Sequence, residues 1–224
     1  VIGFTPDLTS ALAFVLSIAG AYYFIKATYI IKIASPIPTD YFLSDLHFAL
    51  AVAFLLLSGF IDVLDGAIAR LTYSNTKFGD LLDNVLDKYS DAIVLIAIIY
   101  GCYGGLADPF MGLFPFIGFA ALLGSLLVDY ARARTIGLGL KETKVTIGER
   151  PFRILLISMA AAFQFVAQLS AALNVRVQIG GSTYLHELFF NSVKWGILIL
   201  AMLTHISAIQ IVIHAQKNLL KKSS

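Results

Sequence analysis

Long apolar runs separated by short polar clusters set the pattern of this chain. After Thr5-Pro6-Asp7-Leu8-Thr9, where an early proline stands among capping residues, apolar sequence runs from about Leu8 to Ile33. Ser35-Pro36-Ile37-Pro38-Thr39-Asp40 ends that run. A second run covers about His47 to Leu71 and a third about Phe78 to Tyr103. Gly104-Gly105 and Asp108-Pro109 turn the chain into a fourth, from about Phe110 to Tyr130, which continues as helix to Thr135. The loop Gly137 to Gly148 leads to a fifth run, about Pro151 to Leu173, with Pro151 placed as a first-turn residue. A polar loop, Asn174 to Thr183, precedes a sixth run from about Leu188 to Ala215, and the tail Lys217-Asn218-Leu219-Leu220-Lys221-Lys222 is basic. A bilayer crossing takes about 20 apolar residues. The pattern predicts an all-α fold: one polytopic integral membrane domain over residues 1–224, with six transmembrane helices and no repeat or separate soluble domain.

Composition strengthens this picture. Of the 224 residues, 58% are hydrophobic and 13% charged, against about 25% charged in a soluble domain. Mean hydropathy is +0.84. A net charge of +2 is too small to argue for nucleic acid, so the distribution of charge carries more than its sum. One set of connections holds Arg70, Lys77, Arg132, Arg134, Lys141, Lys144, Arg150, Arg153 and the lysine tail. The other set holds Asp40, Asp45, Asp108 and Glu187, with Lys32 and Arg176 as its main basic residues. The positive-inside rule then puts both termini and the long basic loop in the cytoplasm, in the plasma membrane of a prokaryote. The first run is too long for a cleavable signal and lacks a basic flank, and the start at Val1 implies sequence upstream. The single cysteine, Cys102, excludes an intrachain disulfide and reads as a small buried residue.

Against this apolar background, four aspartates stand out. Asp62 and Asp65 are three apart near the end of the second run; Asp83 and Asp87 are four apart near the start of the third. Each spacing puts its pair on one helix face. The short polar segment Thr72 to Thr76 sets the two helices antiparallel, so that the pairs face each other near one membrane surface. Four converging like charges repel and need a compensating cation; hard oxygen donors suit Mg²⁺, Mn²⁺ or Ca²⁺. A single aspartate pair at helical spacing is often only a solvated face, and Asp80 and Asp91, on the same face of the third run, read equally as supporting, capping or solvated groups. Asp129 is expected to pair with Arg132.

The full stretch from Asp62 to Asp87 reads D-x-x-D-G-x-x-A-R, eight residues, G-x-x-x-D-x-x-x-D, with Asp62, Asp65, Gly66, Ala69, Arg70, Gly79, Asp83 and Asp87 at the fixed positions. It resembles the signature of the CDP-alcohol phosphatidyltransferase family. The resemblance implies transfer of a phosphatidyl-type group from a CDP-lipid to a small polar alcohol, with release of CMP. It implies two ions, Mg²⁺ or Mn²⁺, held by Asp62, Asp65, Asp83 and Asp87, with Asp87 doubling as general base toward the acceptor hydroxyl. It also implies a nucleotide site at Asp65, Gly66, Ala69, Arg70 and Gly79. The physical reading agrees: the two glycines and Ala69 leave room for a nucleotide against the helix backbones, and Arg70 can neutralise diphosphate oxygens. Family members resembling this chain are often homodimers.

The acceptor is read from the arginines. Tyr130-Ala131-Arg132-Ala133-Arg134 and Gly148-Glu149-Arg150-Pro151-Phe152-Arg153 place four of them beside the cytoplasmic mouth. Guanidinium forks suit a phosphate dianion, although a basic loop also serves membrane anchoring and topology. These segments are similar to the branch of the family that makes phosphatidylinositol phosphate or archaetidylinositol phosphate. By that resemblance Arg132, Arg134, Arg150 and Arg153 bind the phosphate of inositol 1-phosphate, while Thr135-Ile136 and Phe152 depart from the branch's pattern. Lys194, early in the sixth run, points either at the acceptor or toward the interface. The same chemistry with glycerol 3-phosphate, serine or another alcohol is the alternative within the class. A divalent-cation transporter is the alternative outside it, and it predicts carboxylates spread across the bilayer rather than gathered at one side.

Overall fold

The computed structural model of the protein describes residues 6–33, 38–71, 76–102, 112–140, 150–172 and 191–223. All regular structure among these residues is helical: α1 (Pro6–Ile33), α2 (Pro38–Leu71), α3 (Lys77–Cys102), α4 (Phe114–Gly137), α5 (Arg150–Ala172) and α6 (Ser192–Ser223). Each apolar run has become one helix. Two boundaries differ from expectation: α2 begins at Pro38, nine residues before the apolar run at His47, and α6 carries on through the basic tail. Lysines in the last turns of α6 sit at the end of the helix dipole that favours cations, which suits continuation of the helix. The expected turns at 104–109 and 72–75 and the loops at 141–148 and 174–183 lie outside the described residues.

Five helices hold a stretch long and apolar enough to cross a membrane: Asp7–Thr28, Leu46–Leu64, Phe114–Gly137, Arg150–Ala167 and Ser192–Lys221. The exception is α3, because Asp80, Asp83, Asp87, Lys88 and Asp91 occupy its first four turns. Only its second half is apolar, with Val94, Leu95, Ile98 and Ile99 buried. The outward faces of the helices carry large apolar side chains, such as Phe116, Phe119 and Leu123 on α4 and Met202, Ile206 and Ile209 on α6. That is the surface of an integral membrane protein, since a water-facing helix would be polar there.

The helices pack as a closed ring, in the order α1, α3, α4, α6, α5, α2 and back to α1. Side chains from all six, among them Phe24, Phe48, Leu95, Phe114, Ile157 and Ile197, meet in one core. Lipid tails are as apolar as these residues, so close backbone approach rather than water exclusion must hold helices together. Small residues provide that approach. A Cβ added at Gly124 would overlap the Thr204 hydroxyl and the His205 ring, which marks the crossing of α4 and α6. Serines tie the interior: Ser58 donates to the Ala13 carbonyl at 2.7 Å, and Ser17 donates to Ser90 at 3.1 Å. Such interhelical bonds average about 0.6 kcal/mol in a membrane protein.

Contacts between charged side chains fix the directions. The starts of α1, α3 and α5 and the ends of α2 and α4 gather at one end of the ring, where Ser10 lies against Asp83, Arg150 against Asp62, and Arg153 against Asp129. The end of α6 joins them, with Ile211 packed on Val128. Lys194 lies at the opposite end, its ammonium 5.8 Å from the centre of the Phe114 ring. Of its two expected roles, the one at the acceptor is therefore corrected: the start of α6 is the wrong end of that helix.

Candidate active site

The site begins with the cap of α3. The Thr76 hydroxyl accepts the Gly79 N–H at 2.9 Å, and the Thr76 carbonyl accepts the Asp80 N–H at 3.0 Å. A threonine in this role satisfies amides that the first turn leaves open. The helix it starts then presents Asp83 and Asp87 one turn apart, toward Asp62 on α2. One carboxylate oxygen from each of Asp62, Asp83 and Asp87 lies within 4.8 Å of the others. The expected convergence of the two aspartate pairs is thus present for these three. Asp65 follows Asp62 on the same helix, but its side chain, with Gly66, Ala69 and Arg70, lies outside the described residues.

These residues fit a divalent cation. All three carboxylates are partly buried, and Asp83 Oδ1 has no hydrogen-bond partner although it is shielded from solvent. An orphaned anionic oxygen is costly in such surroundings, and a hard cation would satisfy it. Gly79 marks the edge of the same region. A Cβ there would stand 2.8 Å from Asp7 Oδ1 and 3.0 Å from Thr76 Oγ1, so α1 and α3 approach each other closely at that point. Asp80 is exposed, and its backbone carbonyl accepts the Asn84 amide at 2.7 Å. Its exposure gives it the solvated role.

The four arginines separate in the fold. Arg150 is the first residue of α5, yet it is buried, 8% exposed. Its guanidinium pairs with both Asp62 and Asp87, and Nε lies 3.7 Å from Asp91. A helix start disfavours a cation, so the carboxylates must set this placement. Arg153, one turn on, is 2% exposed. Its Nη2 meets Asp129 at 3.0 Å and Asp91 at 3.1 Å, and its Nη1 donates to the Ser125 carbonyl at 3.0 Å. Asp129 also receives the Lys88 ammonium at 2.7 Å. Where local spacing pointed to Arg132 as the partner of Asp129, Lys88 and Arg153 from neighbouring helices hold it. Arg132 is half-buried on α4, and Arg134 is exposed in the last turn. Lys141 and Lys144 lie outside the described residues. Sequence reading missed Lys88 and the role of Asp129. The available signal was that both are ionisable residues inside apolar runs, which are expensive there and need partners.

Below the carboxylates, toward the bundle centre, side chains from all six helices line a small, largely apolar cavity. Ser17, Ser58, Ser90, Ser125 and Ser158 line it beneath Asp91 and the two arginines. It offers about 30 Å³ to the centres of water molecules, room for roughly two waters. The Ser158 hydroxyl is buried there without a hydrogen-bond partner.

The arrangement can neutralise a polyanion at a membrane surface and take a proton from a bound hydroxyl. Known proteins point the same way. The family model described as CDP-alcohol phosphatidyltransferase matches residues 4–207. The archaetidylinositol phosphate synthase of Methanothermobacter thermautotrophicus is 38% identical over 141 residues, 62% of this chain and 67% of that protein. The enzyme of the same name from Pyrococcus horikoshii is 30% identical over 97% of this chain and 87% of its own length. The crystal structure of the phosphatidylinositol phosphate synthase of Mycobacterium tuberculosis with CDP-DAG bound shares the fold, with a TM-score of 0.63 at 23% identity over 96% of this chain and 87% of that one. A second structure of that protein is a complex with manganese and citrate. A family match over residues 4–207, which spans the carboxylate cluster of α2 and α3, makes the chain an enzyme of the CDP-alcohol phosphatidyltransferase family.

Proposed function

We propose that the enzyme transfers a phosphatidyl-type group from a CDP-lipid to the hydroxyl of inositol 1-phosphate and releases CMP. The observation that carries this reading is the meeting of Asp62, Asp83 and Asp87 with the buried guanidinium of Arg150 at one end of the ring. The acceptor oxygen bonds to the lipid-side phosphorus, the bond from that phosphorus to the CMP oxygen breaks, and the acceptor proton passes to Asp87. Relatives named archaetidylinositol phosphate synthase support inositol phosphate over glycerol 3-phosphate or serine.

Asp62, Asp65, Asp83 and Asp87 would hold the cations, Mg²⁺ or Mn²⁺, as a pair. When bound, such ions supply Lewis-acid stabilisation of charge on the diphosphate. The protein's own part is orientation. Gly66, Ala69 and Gly79 give the nucleotide access to the α2 and α3 backbones, with Arg70 for its charge. Asp87 lies beside Asp62 and Arg150, which positions it to take the acceptor proton. Arg132, Arg134 and Arg150, with Arg153 behind them, supply the positive field for the acceptor phosphate.

The orientation follows from the same end of the molecule. Arg134, Lys77, Lys217 and Lys221 are exposed there, which supports a cytoplasmic active site and six crossings with both termini inside a prokaryotic plasma membrane. A site near the interface lets the lipid donor enter sideways while CMP and a polar acceptor exchange with water. We also read the enzyme as a homodimer.

The test is CMP release from a CDP-lipid by purified enzyme in detergent, with inositol 1-phosphate, free inositol, glycerol 3-phosphate and serine offered in parallel. Release is expected with inositol 1-phosphate, to stop on chelation, and to return with Mg²⁺ or Mn²⁺. The Asp87→Asn variant is expected to lose at least about 10²–10⁴ in kcat, the usual worth of a general base. Release with another acceptor would discard inositol phosphate, and release insensitive to chelator would discard the cation reading.

A further inference from the structure

α6 is longer than a membrane crossing needs. Its 32 residues, Ser192–Ser223, make a helix of about 48 Å, against a hydrocarbon core of about 30 Å. About 20 residues complete the crossing, which brings the helix to Ile211, buried against Val128 of α4. Past that point α6 continues for about three more turns at the active-site end, with most side chains exposed. α4 runs parallel beside it: Phe114 meets Lys194, Gly124 meets Thr204, and Val128 packs on Ile211. In that register Arg134 and Ile136, both exposed near the end of α4, stand level with Lys217 and Leu219. Two helix ends therefore leave the hydrocarbon together at one place on the rim.

The exposed surface of this extension divides into two stripes. Ile209, Val212, Ile213 and Leu220 follow helical spacing and are 59%, 60%, 45% and 62% exposed. Gln210, His214, Lys217 and Lys221 follow the same spacing beside them and are exposed as well. An apolar ridge is disfavoured in water, and a row of cations is disfavoured in hydrocarbon. The headgroup layer satisfies both: apolar side chains reach the acyl boundary while lysines extend to phosphates. The height agrees. Lys217 lies about 9 Å past Ile211 along the axis, at the outer edge of an interfacial layer about 5–8 Å thick. Membrane topology asks only for positive charge on one side, and it leaves the apolar ridge beside that charge unexplained.

We propose that the projecting end of α6, with the end of α4 beside it, is a docking surface for anionic phospholipid headgroups. The lysines of α6 meet the lipid phosphates, and Val212 and Ile213 cover the first methylenes of the acyl chains. α6 carries none of the carboxylates of the reaction centre, so this surface is separate from that site. The inference does not depend on the reaction proposed above.

The test is tryptophan quenching in the full chain, reconstituted in mixed vesicles of phosphatidylcholine and phosphatidylglycerol. The single tryptophan, Trp195, stands at the far end of α6 and is removed as Trp195→Phe. A new one is placed on the ridge as Ile213→Trp, one turn before Lys217. Either the phosphatidylglycerol or the phosphatidylcholine is brominated near the headgroup end of its chains, and the ratio of quenching gives their relative binding. Preference for the anionic lipid is expected at about fivefold for each lysine that meets a headgroup, falling as salt is raised. The variant Lys217→Gln/Lys221→Gln is expected to bring the ratio close to one, and Lys217→Arg/Lys221→Arg to keep it. Leu155→Trp is the control, on the outward face of α5, where Arg150 and Arg153 are both buried; a ratio within about twofold of unity is expected there, since no lysine adds its share. Val212→Trp, on the same ridge, replaces Ile213→Trp if that variant does not fold. Equal preference at the α5 and α6 positions would mean a general surface field and overturn the proposal. So would a ratio unmoved by loss of the lysines. Quenching at Ile213→Trp by neither lipid would show the ridge covered by protein, a second copy or another segment of the chain, and would overturn it too.

Discussion

Single side chains in this protein are judged by whether their charge or hydroxyl is answered. Arg153 and Asp91 meet in an ion pair across two helices at 3.1 Å, whereas Asp83 joins no ion pair among the described residues and its Oδ1 is buried without a hydrogen-bond partner. That contrast separates a structural ion pair from a ligand site. The Ser158 hydroxyl is also buried without a hydrogen-bond partner, at 2% exposure beside the central cavity. Removing an unsatisfied buried hydroxyl is neutral or stabilising, because its desolvation cost of about 1–3 kcal/mol disappears. Ser158→Ala is therefore expected to leave the thermal midpoint in detergent unchanged or raised, with normal CMP release. A clear fall in the midpoint would show that water in the cavity already satisfies the hydroxyl.

At the scale of elements, the helices were legible in advance because one signal dominates. An unbroken apolar run of bilayer length has few alternatives to a helix, since every backbone polar group must be satisfied internally. The end of α2 and the start of α3 could likewise be read from four aspartates at helical spacing. The helix-to-helix contacts could not. Gly124 is one of 17 glycines in the chain, and only the fold shows that α6 presses against it through Thr204 and His205. Gly124→Leu is expected to cost about 1–3 kcal/mol by overpacking the crossing, read as a lower midpoint of unfolding. Leu123→Ala, one residue away but on the outward face, is expected to leave the midpoint unmoved. Equal losses in both would mean that α4 and α6 do not cross where Gly124 stands.

For the whole molecule, the closed ring explains how groups far apart in sequence meet at one end. Asp62, Asp87 and Arg150 are drawn together from α2, α3 and α5, and the ring places the basic ends of α4 and α6 beside them. That polarity predicts the orientation in the membrane. In a Cys102→Ala background, Leu113→Cys at the far end is expected to react with an impermeant maleimide added to intact spheroplasts. Lys217→Cys, near the end of α6, is expected to react only after lysis. The reverse pattern would turn the active site outward and remove the cytoplasmic assignment.

The sequence by itself determined which segments are helices and that they belong in a bilayer, and it led to the expectation that the two aspartate pairs converge, which Asp62, Asp83 and Asp87 meet. Those outcomes depend on local properties: run length, residue spacing and the cost of charge in an apolar setting. Only the tertiary structure decided which charge answers which. The pairing of Asp129 with Lys88 and Arg153, the hold of Arg150 on Asp62 and Asp87, and the removal of Lys194 to the opposite end follow from how six helices close into a ring. Coulomb attraction acts between neighbours in space, and no spacing along one chain records which helices will be neighbours.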